Sequence, residues 1–281
     1  MTLLLDMIHA ALKEDMPSGD LTTESLALAP RMGEARLIAK CKMILSGSGP
    51  FEESIMVMEP LARVQWFFRE GDIIEDRQVI CTITGDLIQV LKAERVSLNF
   101  LGHLSGIATL TRKYVDKIAH TKTKILDTRK TIPTYRDLAK KAVVHGGGTN
   151  HRSNLSDAIL IKDNHIAVAG GLMKAVARIR EHTDEKIEVE ASDLTQVKEA
   201  VMMNVDIILL DNMPLEMMKE AVALVPPTIL TEASGNMTLD RVAAVAELGV
   251  AYISIGALTH SAPSADVSLI FDWLQSEAIG I

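Results

Sequence analysis

Between Lys122 and Arg152 stand eight Lys or Arg residues against two acids, Asp127 and Asp137, in a chain whose formal net charge is -8. A basic island in an acidic protein is where an anion would bind. Arg136, Lys140 and Lys141 fall at helical spacing and read as a solvated helix face. Arg129 and Lys130 differ, because they directly follow an apolar strand and precede Thr131 and Pro133, which places neighbouring cations at the rim of a site. His151 and Arg152 come soon after three consecutive glycines, and Lys162 closes the next apolar strand. Such glycines give up chain entropy in return for backbone conformations or close approaches that a Cβ forbids. An ordinary flexible loop is the alternative, but it needs no such cationic companions. A guanidinium fork grips one carboxylate while an ammonium meets another, so the set suits a dicarboxylate.

Acidic groups face these cations. Glu188 and Glu190 alternate with apolar residues in KIEVEAS, so both point to one side of a strand, and Asp211 ends the following strand. Carboxylates converging among cations suit a hard metal such as magnesium carrying a pyrophosphate. The alternative is that they pair with lysines and arginines, an open choice above all for Glu188. EASGN at 232–236 and SIGALTH at 254–260 close the last two strands with small residues, where exposed backbone N–H groups commonly hold a phosphate.

The elements that must position these groups follow two rhythms. Residues 2–14 have helical periodicity; ARLIAKCKMILSG, VQWFFREGDII and RQVICTITGD read as strands broken by glycine turns, and residues 88 to about 120 as one or two long helices. A biotinyl or lipoyl module is a minor alternative for GDIIEDRQVICTITGD, but no Met-Lys-Met turn follows. From residue 122, the apolar strands KILDTRK, AILIKDNH, KIEVEAS, DIILLDN, TILTEASG and AYISIGALTH alternate with helical stretches and end in polar residues. That pattern predicts a parallel α/β barrel with its site at the strands' carboxyl ends, with a doubly wound sheet as competitor. No GxGxxG follows an early strand, which disfavours a dinucleotide fold. The expected domains are 1–105 and 106–264, with 265–281 packing back on the first.

Composition narrows the function classes. The chain has 281 residues and is 48% hydrophobic but only 4% aromatic, which suits an α/β class. Its acidity disfavours nucleic acid and anionic membranes as partners. Cys41 and Cys81 form no metal-ligand spacing, and the start of the chain has no basic region of a signal type, so a cytoplasmic location is expected.

DTRKTIP, GGGTNHR, LIKDNH, IEVEAS, LLDN, EASG and IGALTHSAP occur in the order and spacing of the quinolinate phosphoribosyltransferase family, and KEDMPSGDLTT and AERVSLNFLGHLSGIATLT are similar to it too. The resemblance covers nearly the whole chain. It implies an N-terminal open α/β sandwich followed by an incomplete, seven-stranded α/β barrel, in a homodimer, or a higher oligomer, with shared active sites. The implied reaction joins quinolinate to phosphoribosyl pyrophosphate with decarboxylation, using Mg2+. Carried over by motif, Arg129, His151, Arg152 and Lys162 resemble the quinolinate cradle, with Arg95 supplied by the partner subunit. Lys130, Glu190 and Asp211 resemble the catalytic groups around ribose and magnesium pyrophosphate, and Glu190 and Asp211 the metal ligands. Thr128, Ser234, Gly235, Asn236, Gly256 and His260 are expected at the phosphoribosyl group. Two positions depart from the family pattern, Thr134 and Asn236, where glycine is usual. A Schiff base at Lys162 is a possibility that the resemblance disfavours. A molybdate-transport-associated relative is the nearest rival, but it typically lacks the run Lys162, Asp163, Asn164, His165. A non-catalytic sensor barrel is the rival from another class.

Overall fold

The computed structural model describes residues 3–272, and the chain divides into two compact units, Met1–Thr109 with the segment from Ala262, and Leu110–Ser261. The first unit contains α1 (Leu3–Asp15), α2 (Leu21–Ser25), β1 (Met32–Ala39), β2 (Met43–Ile44), α3 (Ser48–Met58), β3 (Arg63–Trp66), β4 (Ile73–Ile74), β5 (Val79–Asp86) and most of α4 (Leu87–Lys117). The division falls inside α4, a single helix where one or two were expected. After the barrel elements the chain returns as β12 (Val267–Asp272), which pairs antiparallel with β1, so the sheet runs β12-β1-β5-β3. Residues 273–281, the end of the segment expected to pack on this unit, lie outside the described residues.

Strict alternation makes the sheet one-sided: Gly33, Ala35, Leu37 and Ala39 of β1 are buried while their neighbours are not. Leu37, Ile83, Phe51, Ile55 and Leu101 meet in its core. Phe51 and Trp66 meet edge to face with ring centroids 5.6 Å apart, and the Trp66 indole N–H donates to Glu52 at 2.9 Å, so its polar end is satisfied.

The second unit contains β6 (Lys124–Leu126), α5 (Arg136–His145), β7 (Ile159–Ile161), α6 (Asp163–Ala169), α7 (Leu172–Arg180), β8 (Ile187–Ala191), α8 (Leu194–Met202), β9 (Ile207–Asp211), α9 (Leu215–Leu224), β10 (Leu230–Ser234), α10 (Val242–Ala246), β11 (Tyr252–Ser254) and α11 (Ala257–His260). Its strands are parallel in the order β6-β11-β10-β9-β8-β7, and all six match strands expected from the sequence. The expected class holds, an open α/β barrel following an N-terminal sheet unit in the chain, but among the described residues the ladder has six strands rather than seven. Among the described residues, a single parallel bridge, Leu126 to Thr149, stands at the place beside β6. Past that bridge the His151 N–H donates to the Asp127 carboxylate at 2.9 Å and not to a strand backbone.

The three glycines before that bridge serve the turn. Gly146 caps α5, Gly147 has φ +90°, and a Cβ on Gly148 would come within 2.7 Å of Val143 and 2.8 Å of Thr111. Their use is a close return of the backbone from helix to sheet, not a ligand cradle. Among the described residues, no helix is long and apolar enough to cross a membrane.

Candidate active site

A cavity of about 790 Å³ opens where the barrel strands end. Of the residues singled out in the sequence, Thr128, Arg129, Lys130, His151, Arg152, Lys162, Glu190, Asp211, Ser234, Gly235 and Asn236 line it. They come from six separate segments; five lie at or just beyond a strand's carboxyl end, as the barrel geometry requires, and His151 with Arg152 lies in the loop between α5 and β7. Gly256 and His260 are not among its lining residues but stand behind Lys130: a Cβ on Gly256 would lie 3.0 Å from the Lys130 side chain and 3.2 Å from the His260 ring. The Thr259 hydroxyl donates to the Lys130 carbonyl at 2.8 Å, which fixes that cation's backbone. Arg95 sits exposed on α4, in the other unit, and does not line the cavity.

One wall is cationic. Arg152 donates to the Ala158 carbonyl at 3.0 Å; burial, and then the charge of Arg129, depress its pKa, the signature of guanidinium groups gathered without enough opposing charge. The Arg129 Nε is buried and has no hydrogen-bond partner among the described residues. Lys162 N–H donates to His165 Nδ1 at 3.0 Å and Asn164 N–H to Asp163 Oδ1 at 2.6 Å, so the Lys-Asp-Asn-His run starts α6 while the Lys162 side chain is free to reach Glu190 at 3.5 Å.

Opposite lie the acids. The Glu190 carboxyl is pushed up by burial, held back by Lys162 and raised again by the charge of Asp211. Two carboxylates that repel each other across a polar cleft fit a hard divalent cation, which prefers oxygen ligands. Asp211 accepts from the Asn212 amide at 2.8 Å, which leaves its second oxygen available to such an ion.

The floor carries a second acid pair. Glu188 and Glu232 are 5% and 1% exposed, and His151 Nε2 stands 3.3 Å from Glu188 and 3.6 Å from Glu232. Among the described residues Glu188 has no ion pair with a lysine or arginine, the alternative weighed from the sequence; its partner is a histidine. His151 Nδ1 accepts from the Arg152 N–H at 2.7 Å, so the ring's proton sits on Nε2 and faces the acids. The ligand atoms of these three residues lie within 4.8 Å of one another, yet a protonated Nε2 has no lone pair for a metal. The oxygen pair Glu190 and Asp211 is the donor set that a hard cation would suit. Burial lowers the His151 pKa, but the hydrogen bond to Glu188 and the charges of both acids outweigh it and raise the pKa overall.

Sequence reasoning missed Glu232, Asp127 and the role of Lys140. A signal for Glu232 existed: it is the one charged residue inside the strand segment TILTEAS, and on the sheet it shares a row with Glu190 through Leu209. The solvated-face reading of Arg136 and Lys140 is overturned. Lys140 is 3% exposed and donates to Asp127, itself 0% exposed, and Arg136 donates to the Ser153 carbonyl at 3.0 Å; Lys141 alone of the three faces solvent. Helical spacing does not reveal that this face meets the barrel's own loops.

The two departures from the glycine pattern both have left-handed backbones. Asn236, at φ +48°, tolerates this and donates to the Asn212 side chain at 3.2 Å. Thr134, at φ +67°, is β-branched and strained there. Thr134→Gly is expected to raise stability by about 0.5–1 kcal/mol, after the entropy of the added glycine is offset against the strain removed, as read by thermal unfolding. An unchanged or lowered melting temperature would show that the loop is not under strain.

Models of known families match the chain in two blocks: the N-terminal domain of quinolinate phosphoribosyl transferase at residues 20–105 and its C-terminal domain at 107–270. A probable nicotinate-nucleotide pyrophosphorylase [carboxylating] of Synechocystis is 42% identical over 263 residues, covering 92% of this chain and 89% of that one. The mitochondrial quinolinate phosphoribosyltransferase [decarboxylating] 2b of Nicotiana tabacum is 38% identical over 290 residues, covering 96% and 82%. The solved nicotinate-nucleotide pyrophosphorylase of Francisella tularensis superposes with a TM-score of 0.91 at 37% identity, over 96% of each chain. Matched along both blocks and in its fold, the chain belongs to the quinolinate phosphoribosyltransferase family.

Proposed function

We propose that the cleft transfers phosphoribosyl from phosphoribosyl pyrophosphate to quinolinate with loss of carbon dioxide, giving nicotinate mononucleotide and pyrophosphate for NAD biosynthesis. The observation that carries this reading is one cavity with a cationic wall of Arg129 and Arg152 and an acidic wall of Glu190 and Asp211. The first fits the two carboxylates of quinolinate, with His151 as its floor and Lys162 at its edge. The second fits magnesium pyrophosphate. When bound, magnesium supplies positive charge to the departing pyrophosphate.

The chain's own groups do the rest. Lys130 meets the leaving pyrophosphate, and Thr128, Ser234, Gly235 and Asn236 hold the phosphoribosyl group, backed by Gly256 and His260. The acidic wall favours the positive charge that builds on ribose as the bond to pyrophosphate lengthens. Arg129 and Arg152 hold the ring so that its nitrogen faces that carbon, which turns a collision into a positioned attack. The ring nitrogen becomes positively charged on bonding to ribose. When the 2-carboxylate leaves as carbon dioxide, the freed electron pair stays on that ring carbon, stabilised by the adjacent positive nitrogen, and takes up a proton.

The active form is a homodimer, in which Arg95 of the partner subunit completes the cradle. The setting is cytoplasmic and reducing, which suits Cys41 and Cys81, both free thiols. Incubation with quinolinate, phosphoribosyl pyrophosphate and magnesium should yield nicotinate mononucleotide and carbon dioxide in equal amounts, and nicotinate should be a poor substitute. Absence of product from folded protein that binds phosphoribosyl pyrophosphate would sink the reading in favour of the molybdate-associated relative. Size measurement by light scattering should give a dimer; a monomer of full activity would exclude the shared site.

A further inference from the structure

Two cations one turn apart on α5 reach two segments of the cleft. Arg136 donates from Nε to the Thr131 hydroxyl at 3.2 Å and from Nη1 to the Ser153 carbonyl at 3.0 Å. Lys140 Nζ donates to the Asp127 carboxylate and to the His151 carbonyl, the latter at 2.8 Å. The same Asp127 oxygen accepts the His151 N–H at 2.9 Å. With the Asn150 amide turned so that its nitrogen faces these acceptors, it donates to the other Asp127 oxygen at 2.6 Å and to the Lys140 carbonyl at 3.0 Å. Both backbone polar groups of His151 are thus held by one ion pair, and the Ser153 carbonyl is held one helical turn away. Arg152, the cation between them, has its backbone pinned on both sides.

A buried pair of this kind is weak evidence for stability, because well-packed apolar residues of similar volume serve as well or better. Its value must be sought in what it holds. It holds the strip that carries His151 and Arg152 against the strip that carries Arg129 and Lys130, at a place where the ladder has shrunk to one bridge and no longer supplies that order. We propose that Arg136 and Lys140, with Asp127, are positioning residues that clasp the two cationic strips of the cleft at the spacing quinolinate needs. This rests on the reading of Arg129, His151 and Arg152 as the quinolinate cradle. Neither α5 side chain touches substrate; each acts through the backbone it holds.

The test compares the unmodified chain with Arg136→Gln, Lys140→Met and the double variant Lys140→Met/Asp127→Leu. The KM of each substrate and the melting temperature are measured separately. Lys140→Met alone should melt well below the unmodified chain, since Asp127 is left buried without its counter-charge. The double variant should regain most of that loss. Its KM for quinolinate should nevertheless stay raised by about tenfold or more, with that for phosphoribosyl pyrophosphate within about threefold, because a displacement near one ångström is enough to lose such a factor. Arg136→Gln should show the same split with little change in melting, which keeps the test readable if the double variant folds poorly. Stable variants with unchanged quinolinate KM, or with equal losses for both substrates, overturn the inference alone. Absence of both turnover and quinolinate binding in the unmodified chain overturns the substrate reading, and the inference with it.

Discussion

Arg152→Ala is expected to lower kcat/KM for quinolinate by roughly 10- to 150-fold, the equivalent of one charged hydrogen-bonding partner worth about 1.5–3 kcal/mol, while the KM of phosphoribosyl pyrophosphate changes by less than about threefold. The expectation follows from an unfavourable feature of the free cleft. Arg152 is part-buried beside Arg129, and both burial and that neighbour oppose its charge. A bound carboxylate would offset both, so its contact with Arg152 should be worth that of a charged hydrogen bond. Arg152→Lys should fall between, since it keeps the charge but loses the planar fork. Steady-state kinetics with each substrate varied in turn decides the matter. Equal losses for the two substrates would remove Arg152 from the cradle and place it at the phosphates.

Glu232→Gln is expected to stabilise the protein at about pH 8 by an amount on the order of 2–3 kcal/mol and to do little at about pH 5. Burial, and after it the negative charge of Glu188, push the Glu232 carboxyl up from 4.5 to about 7, against the opposing pull of His151, of Lys162 and of a hydrogen bond with Ser254. In the unfolded chain the same carboxyl ionises near the ordinary value. Between the two the folded state holds the extra proton, so stability falls as pH rises from about 4.5 to about 7. His151 acts in the same sense: its pKa is raised on folding, so the stability it contributes is complete below the ordinary histidine range and fades as pH climbs above it. Glutamine keeps the shape of the protonated acid and cannot ionise, so the variant should lose much of the alkaline decline. Thermal unfolding across this pH range is the measurement. A variant less stable than the unmodified chain at both ends would mean that the charged form of Glu232 is what His151 requires.

Much of this architecture is written locally. The β-α alternation, the polar residue that stops each strand and the one-sided pattern of β1 follow from side-chain type and period, because a strand's faces and a helix's stripe are properties of neighbouring residues. The sequence by itself therefore determined the alternation of parallel strands and helices, the strand ends that open on the cleft and most of the groups that line it, and the ordered motifs from Asp127 to Pro263 marked the family and with it the barrel. Tertiary structure alone decided the partners. Nothing local tells Lys140 that it will be buried on Asp127, or Glu188 and Glu232 that they will share one histidine, since these contacts join segments far apart in the chain. Nor does periodicity show that the ladder thins to a single bridge at Thr149, past which the His151 N–H donates to Asp127 and not to a strand backbone. Strand and helix patterns arise from short-range sterics and solvent, whereas the pairing of buried charges is set by which elements the fold brings within a few ångströms in a medium that screens them poorly.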